Sequence, residues 1–161
     1  MSGPLIEVQA IARVVGGRVE PTDDYWGGTA AIIRIDETLF GADATYGLEE
    51  FSHLEVVFHF HLMDKTDLPS GVRRPRNDAR WPELGVFAHR NMRRLNWLAV
   101  SRCRLVRVDG LDLHVEDLDA IDGTPVVDIK PWFNEFAPRG AVRQPSWPTE
   151  MLTNYYAPAS R

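Results

Sequence analysis

The sequence predicts an all-β fold: a single antiparallel β-barrel with long functional loops and an extended C-terminal arm. Three observations carry that expectation. Short runs of β-branched and aromatic residues recur along the chain, bounded by glycine, proline and aspartate. Asp109-Gly110 separates two such runs, a strong hairpin signal. Helical periodicity is thin throughout. At 161 residues, 44% of them hydrophobic, the chain has enough apolar content for one domain with a real core.

The elements follow in order. IEVQAIARVV (6–15) reads as a strand ended by the Gly16-Gly17 turn, and TAAIIRI (29–35) as a second. Residues 37–51 have room for a short helix. LEVVFHFHL (54–62) is a third strand, and ELGVFAH (83–89) a short apolar one. LAVSRCRLVRV (98–108) leads through the hairpin into LDLHVEDL (111–118). There Leu111, Leu113 and Val115 share one face, and Asp112, His114 and Glu116 the other. PVVDIKPW (125–132) is the last strand, ended by Pro131. Between strands, residues 69–85 form a long loop rich in proline, glycine and arginine, a type that tends to carry function. The barrel is expected over 1–137. A Pro-rich arm, 138–161, follows it, with Trp147, Tyr155 and Tyr156 placed to pack on the body or on a neighbour.

Composition narrows the function classes. No apolar run approaches the roughly 20 residues that span a bilayer, and the N-terminus lacks the pattern of a signal peptide. Cys103 is the only cysteine, so neither an intrachain disulfide nor a Cys-rich zinc site is expected. These features point to the cytoplasm. The nucleotide-binding glycine motifs, the P-loop, GxSxG and HExxH are all absent. The net charge of -5 argues against nonspecific nucleic-acid binding, yet residues 73–107 hold ten arginines and only two acids. Arginine suits bidentate recognition of phosphate or carboxylate.

Three of the five histidines fall in 47–62. His59 and His61 are two apart in a strand pattern and share one face. They could begin a metal site, line a polar wall, or bond a ligand through a neutral ring nitrogen; His53, after Ser52, fits a structural hydrogen bond. In IDGTPVVDIKPW (121–132), Asp122-Gly123 forms a tight turn, while Asp128 and Lys130 lie two apart as a surface ion pair or as polar site residues.

GLEEFSHLEVVFHFH, VRRPR, GVFAHR and LDAIDGTPVVDIKPW occur in this order and spacing. Together they resemble the TrmO-type family of S-adenosylmethionine (SAM)-dependent methyltransferases over roughly residues 5–136. The resemblance implies a barrel domain, a homodimer, SAM as cofactor, no metal, and methylation of N6 of threonylcarbamoyladenosine in tRNA. A small-molecule acceptor, or SAM binding or cleavage without transfer, stands as the alternative. Longer members carry a further C-terminal domain, and here the Pro-rich tail is expected in its place. Carried over by position, the cofactor residues are Tyr25, Trp26, His61, Leu62, Arg90, Val100, Leu118, Asp119, Ala120, Ile121, Asp122 and Gly123. Arg73, Arg76, Arg94 and Asn96 fall on the acceptor side, and His61, Asp128 and Lys130 are the candidate proton acceptors or catalytic polar groups. Two segments depart from the family: its Arg-Pro-Asn-Pro-Ile-Gly is here Arg94-Leu95-Asn96-Trp97-Leu98-Ala99, so a different loop shape is expected, and the early loop DDYWGG (23–28) replaces the usual Gln-Pro-Gly.

Overall fold

The computed structural model describes residues 3–66, 68 and 70–159. Six strands close into an antiparallel barrel: β1 Ala12–Val15, β2 Ala30–Ile35, β3 His53–His59, β4 Leu98–Asp109, β5 Asp112–Glu116 and β6 Pro125–Pro131. The order around the barrel is β1-β2-β5-β4-β3-β6. β4 and β5 form the expected hairpin, with Asp109 paired to Asp112 around Gly110, whose φ of 60° suits the first loop position. Alternation fills the interior: Leu54, Val56 and Phe58 of β3 meet Ser101, Cys103 and Leu105 of β4, and Leu113 and Val115 of β5. The outward residues of β3, β4 and β6 build an exterior wall on which Val57 stands beside Val100 and Asp128, and Glu55 beside Arg102 and Lys130.

Several elements differ from the sequence expectation, each for a physical reason. The first strand begins at Ala12, not Ile6. The pairing fades at Ile11, which donates to Val126 O and accepts from Asp36 N–H; β2 has ended at Ile35, and among the described residues no neighbour pairs with those before Ile11. Leu5, Ile6 and Val8 therefore lie exposed outside the sheet. ELGVFAH is not a strand. Leu84 makes one bridge with Arg73, and Val86–Ala88 form a 3-10 turn. The buried His89 Nε2–H donates to Arg73 O and Leu84 O (3.0 and 3.1 Å), and Arg94 donates to Val86 O and His89 O (3.2 and 2.8 Å). Side chains thus take the carbonyls that a ladder would need. The possible helix in 37–51 is two 3-10 turns, Ala42–Thr45 and Leu48–Glu50. The third strand stops at His59, so His61 and Leu62 sit in the following turn and do not share a strand face with His59. The C-terminal arm carries a short helix, α1 Trp147–Met151, and returns to the body.

Candidate functional site

The Leu118–Gly123 turn is held from several directions. Asp122 Oδ1 accepts from Gly16 N–H at 2.8 Å, Asp122 N–H donates to Arg18 O at 2.7 Å, and Gly123 N–H donates to Val14 O at 2.8 Å. Gly123 has φ of 80°, and a Cβ there would stand 3.9 Å from His61 Nε2. His61 and the turn, far apart in sequence, are therefore neighbours. Leu118 and Ala120 are core residues whose side chains pack inside the barrel. Ile121 is half-buried, and Asp122 and Gly123 are exposed.

The early loop is fastened by Arg18, a residue the sequence pattern did not single out. Its guanidinium donates to Thr22 Oγ1, to Asp24 O (2.8 Å) and to Tyr25 O, and lies 4.5 Å from the Trp26 ring centre. Its only sequence signal is a lone cation between Gly16-Gly17 and the acidic Asp23-Asp24. Trp26 is 4% exposed, and Tyr25, with φ of 68°, is open to solvent. Gly28 N–H donates to Asp117 Oδ1 at 2.8 Å, which ties this loop to the strand end before Leu118.

The arginines divide into groups. Arg76 is paired with Asp24 through two hydrogen bonds, 3.0 and 2.7 Å, which hold its guanidinium above the usual value. Arg80 pairs with Asp78, whose carboxyl falls to about 2 because of that guanidinium. Arg74 meets Glu83, Arg102 meets Glu55, Arg104 meets Glu116 and Arg107 meets Asp109. The basic stretch is largely neutralised by acids, several from distant strands. Arg73 contributes backbone to the Leu84 bridge, and Arg94 braces the Val86–Ala88 turn. Arg90 is exposed, and its side chain makes no hydrogen bond or ion pair among the described residues. An open cleft of about 470 Å³ separates Arg76, Arg80 and Trp81 from Glu150, Met151 and Asn154 of the arm.

The Arg94–Ala99 loop turns at Trp97. Trp97 takes φ of 49°, an unusual conformation for a bulky side chain, and its carbonyl accepts from Phe60 N–H at 2.8 Å. Its ring lies 6.4 Å from that of His59, while Asn96 is exposed. Asp128 and Lys130 form an ion pair of 2.5 Å on the exterior wall, and Val100 is exposed on that wall. Leu62 is exposed beside His61. His53 Nδ1 and Ser52 Oγ are 2.8 Å apart, as a structural role requires. Among the described residues no three His, Cys, Asp or Glu side chains come together as a metal site, and no helix is long and apolar enough to cross a membrane. The segments that were expected to touch a cofactor also hold two orphaned atoms. Trp26 Nε1 and Asp119 Oδ1 are buried with no hydrogen-bond partner among the described residues.

Comparison with known proteins places this geometry. The human tRNA (adenine(37)-N6)-methyltransferase is 32% identical over 130 residues, which cover 80% of this chain and 29% of the human protein. The Escherichia coli K12 enzyme of the same description is 44% identical over 97 residues, covering 56% of this chain and 40% of that one. A probable S-adenosyl-L-methionine-binding protein of Pyrococcus abyssi is 40% identical over 96 residues, covering 60% and 50%. The chain thus spans half or less of each of these relatives. A crystal structure of TrmO superposes with a TM-score of 0.71 at 27% identity, over 88% of this chain and 64% of that one. TrmO from Pseudomonas aeruginosa shares the fold at a TM-score of 0.71 and 23% identity, over 89% and 62%. Residues 22–137 match the tRNA-methyltransferase O N-terminal domain, most of the six-stranded barrel included, and the chain belongs to that family.

Proposed function

We propose that this chain binds SAM and transfers its methyl group to N6 of threonylcarbamoyladenosine in tRNA. The observation that carries the reading is the meeting of His61 with the Gly123 turn, fastened by Asp122 to the Gly16–Arg18 segment. The two orphaned atoms fit the group as well: a ligand with donors and acceptors satisfies both an indole N–H and a carboxylate oxygen. Arg90, exposed and without a partner among the described residues, is available for the cofactor.

Bound SAM supplies an activated methyl on a sulfonium. This chain's residues align the acceptor nitrogen with that methyl and exclude water. Methyl transfer would require the acceptor nitrogen to lose a proton, and His61, beside the Gly123 turn, would be the imidazole to take it. Asp128 and Lys130 hold each other on the exterior wall and shape the site from there. The cleft lined by Arg76, Arg80 and Trp81 receives the acceptor, and Arg73, Arg94 and Asn96 are its further proposed contacts. A second copy of the chain completes a homodimer, a reading supported by the exposed Leu5, Ile6 and Val8 and by the stacked Phe133 and Phe136. The cytoplasm, where tRNA is found, is its proposed compartment.

Calorimetry with SAM tests the cofactor reading. Wild type binds at micromolar concentrations, and Arg90→Ala weakens binding about tenfold, one charge-assisted contact's worth. Absence of binding at tens of micromolar overturns it. Nucleoside mass spectrometry of a deletion strain tests the acceptor: methylated threonylcarbamoyladenosine disappears. Its persistence moves the acceptor to a small molecule, a reading that the divergent Trp97 loop favours.

A further inference from the structure

The C-terminal arm reaches both segments assigned to the cofactor. Tyr25 N–H donates to Asn154 O at 3.0 Å, and Trp26 N–H donates to Tyr155 O at 2.8 Å. Gly27 bridges Pro158 and lies so close to the arm that a Cβ on it would collide with Tyr156 O. On the other side, the Tyr155 hydroxyl donates to Asp119 Oδ2 at 2.5 Å. Burial first, and Asp119 second, hold the Tyr155 phenol far above its ordinary value, so it remains a donor. One arm therefore joins the early loop to the Leu118–Gly123 turn by main chain and by side chain.

The orphaned atoms lie in those same two segments. Asp119 has one oxygen satisfied by Tyr155, and the other is buried without a partner among the described residues. Trp26 is 4% exposed, and its Nε1–H donates to nothing among them. Buried unsatisfied polar atoms are costly, so an acceptor and a donor left in this state mark places for a ligand that bears both functions.

We infer that the arm is a working part of the cofactor site, with Tyr155 as a positioning residue. Its hydroxyl fixes the Asp119 carboxylate so that Oδ1 accepts a hydrogen bond from a donor on SAM, its ammonium or a ribose hydroxyl. The inference rests on the SAM-binding reading above. If the Tyr155–Asp119 bond only fastened the arm, its loss would lower stability and leave SAM affinity alone. If it positions Asp119, its loss weakens SAM, and the effect vanishes once Asp119 is already altered.

The test is a double-mutant cycle on the full chain, read by SAM calorimetry with thermal melting alongside. Tyr155→Phe is expected to bind SAM about tenfold more weakly. Asp119→Asn loses at least as much, and the double variant loses no more than Asp119→Asn alone. Tyr156→Phe keeps the Tyr155–Asp119 bond, since the Tyr156 ring meets Tyr155 edge-on at 5.0 Å and its own hydroxyl faces Ser101, and it is expected to bind as wild type does. Unchanged affinity in Tyr155→Phe overturns the inference, as do losses that multiply in the double variant or an equal loss in Tyr156→Phe. If Tyr155→Phe does not fold, Asp119→Asn keeps the phenol and decides alone: unchanged affinity overturns the inference. Failure of the wild-type chain to bind SAM removes the parent reading, a result distinct from each of these.

Discussion

His59 sits outside the barrel core, beside Trp97, with its imidazole held below the ordinary value of 6.5 by burial and then by Lys65 and His61. A depressed histidine favours its neutral form, so the folded chain binds fewer protons than the unfolded one as pH falls through 6.5. The stability His59 contributes is present above that value, declines on acidification below it, and stops declining once pH passes the folded value. The thermal midpoint is expected to fall between about pH 7 and about pH 5, and less steeply in His59→Gln. Parallel melting curves for the two proteins would remove this role. At the same scale, Trp97 carries an unusual backbone conformation in the Arg94–Ala99 loop. It occupies a left-handed backbone position without the freedom of glycine, and its carbonyl anchors Phe60 just before His61.

Strands were legible where one face is buried and the period is two. β3, β4 and β5 follow their alternation, and the Asp109-Gly110 signal placed their hairpin. The failures come from partners that periodicity does not encode. Residues 6–10 have strand composition, but no neighbouring strand among the described residues pairs with them. Residues 83–89 are apolar enough for a strand, but His89 and Arg94 capture their carbonyls. The contact of His61 with the Gly123 turn was legible only through family resemblance, because nothing in either segment names the other. Packing of the arm on the body was one of two expectations from its aromatics; its path was not legible, since main-chain bonds to Asn154 O and Tyr155 O set it. That docking yields a prediction for the element. Gly27→Ala drives a Cβ into Tyr156 O, so the arm lifts, stability falls by roughly 1–3 kcal/mol, and proteolysis within 138–159 quickens. A variant as stable and as resistant as wild type would mean that the arm is held elsewhere.

The whole molecule treats its charge differently from the linear sequence. Ten arginines in 73–107 read as a basic patch, yet folding brings Asp24, Glu55 and Glu116 against Arg76, Arg102 and Arg104. Of the ten, six are paired with acids among the described residues, and Arg90 is exposed without such a pair. RNA affinity is therefore expected to fall gently with salt, with a log–log slope of about -2 to -3, two or three phosphates neutralised. Titration of an anticodon stem-loop across salt concentrations measures it, and a slope steeper than about -6 would mean that the ion pairs open on binding. The closure of the barrel has a consequence in time. β1 pairs with β6 over just Ala12–Val126 and Arg13–Pro125, with bonds from Ile11 and Val14 flanking that short seam, and β2 must wait for β5. A ribosome that has finished β1 and β2 has made neither of their outer partners, so two apolar strand edges stay open during much of synthesis. The β3-β4-β5 meander, whose partners are sequential, is the natural first unit to form, and the short β1–β6 seam closes last.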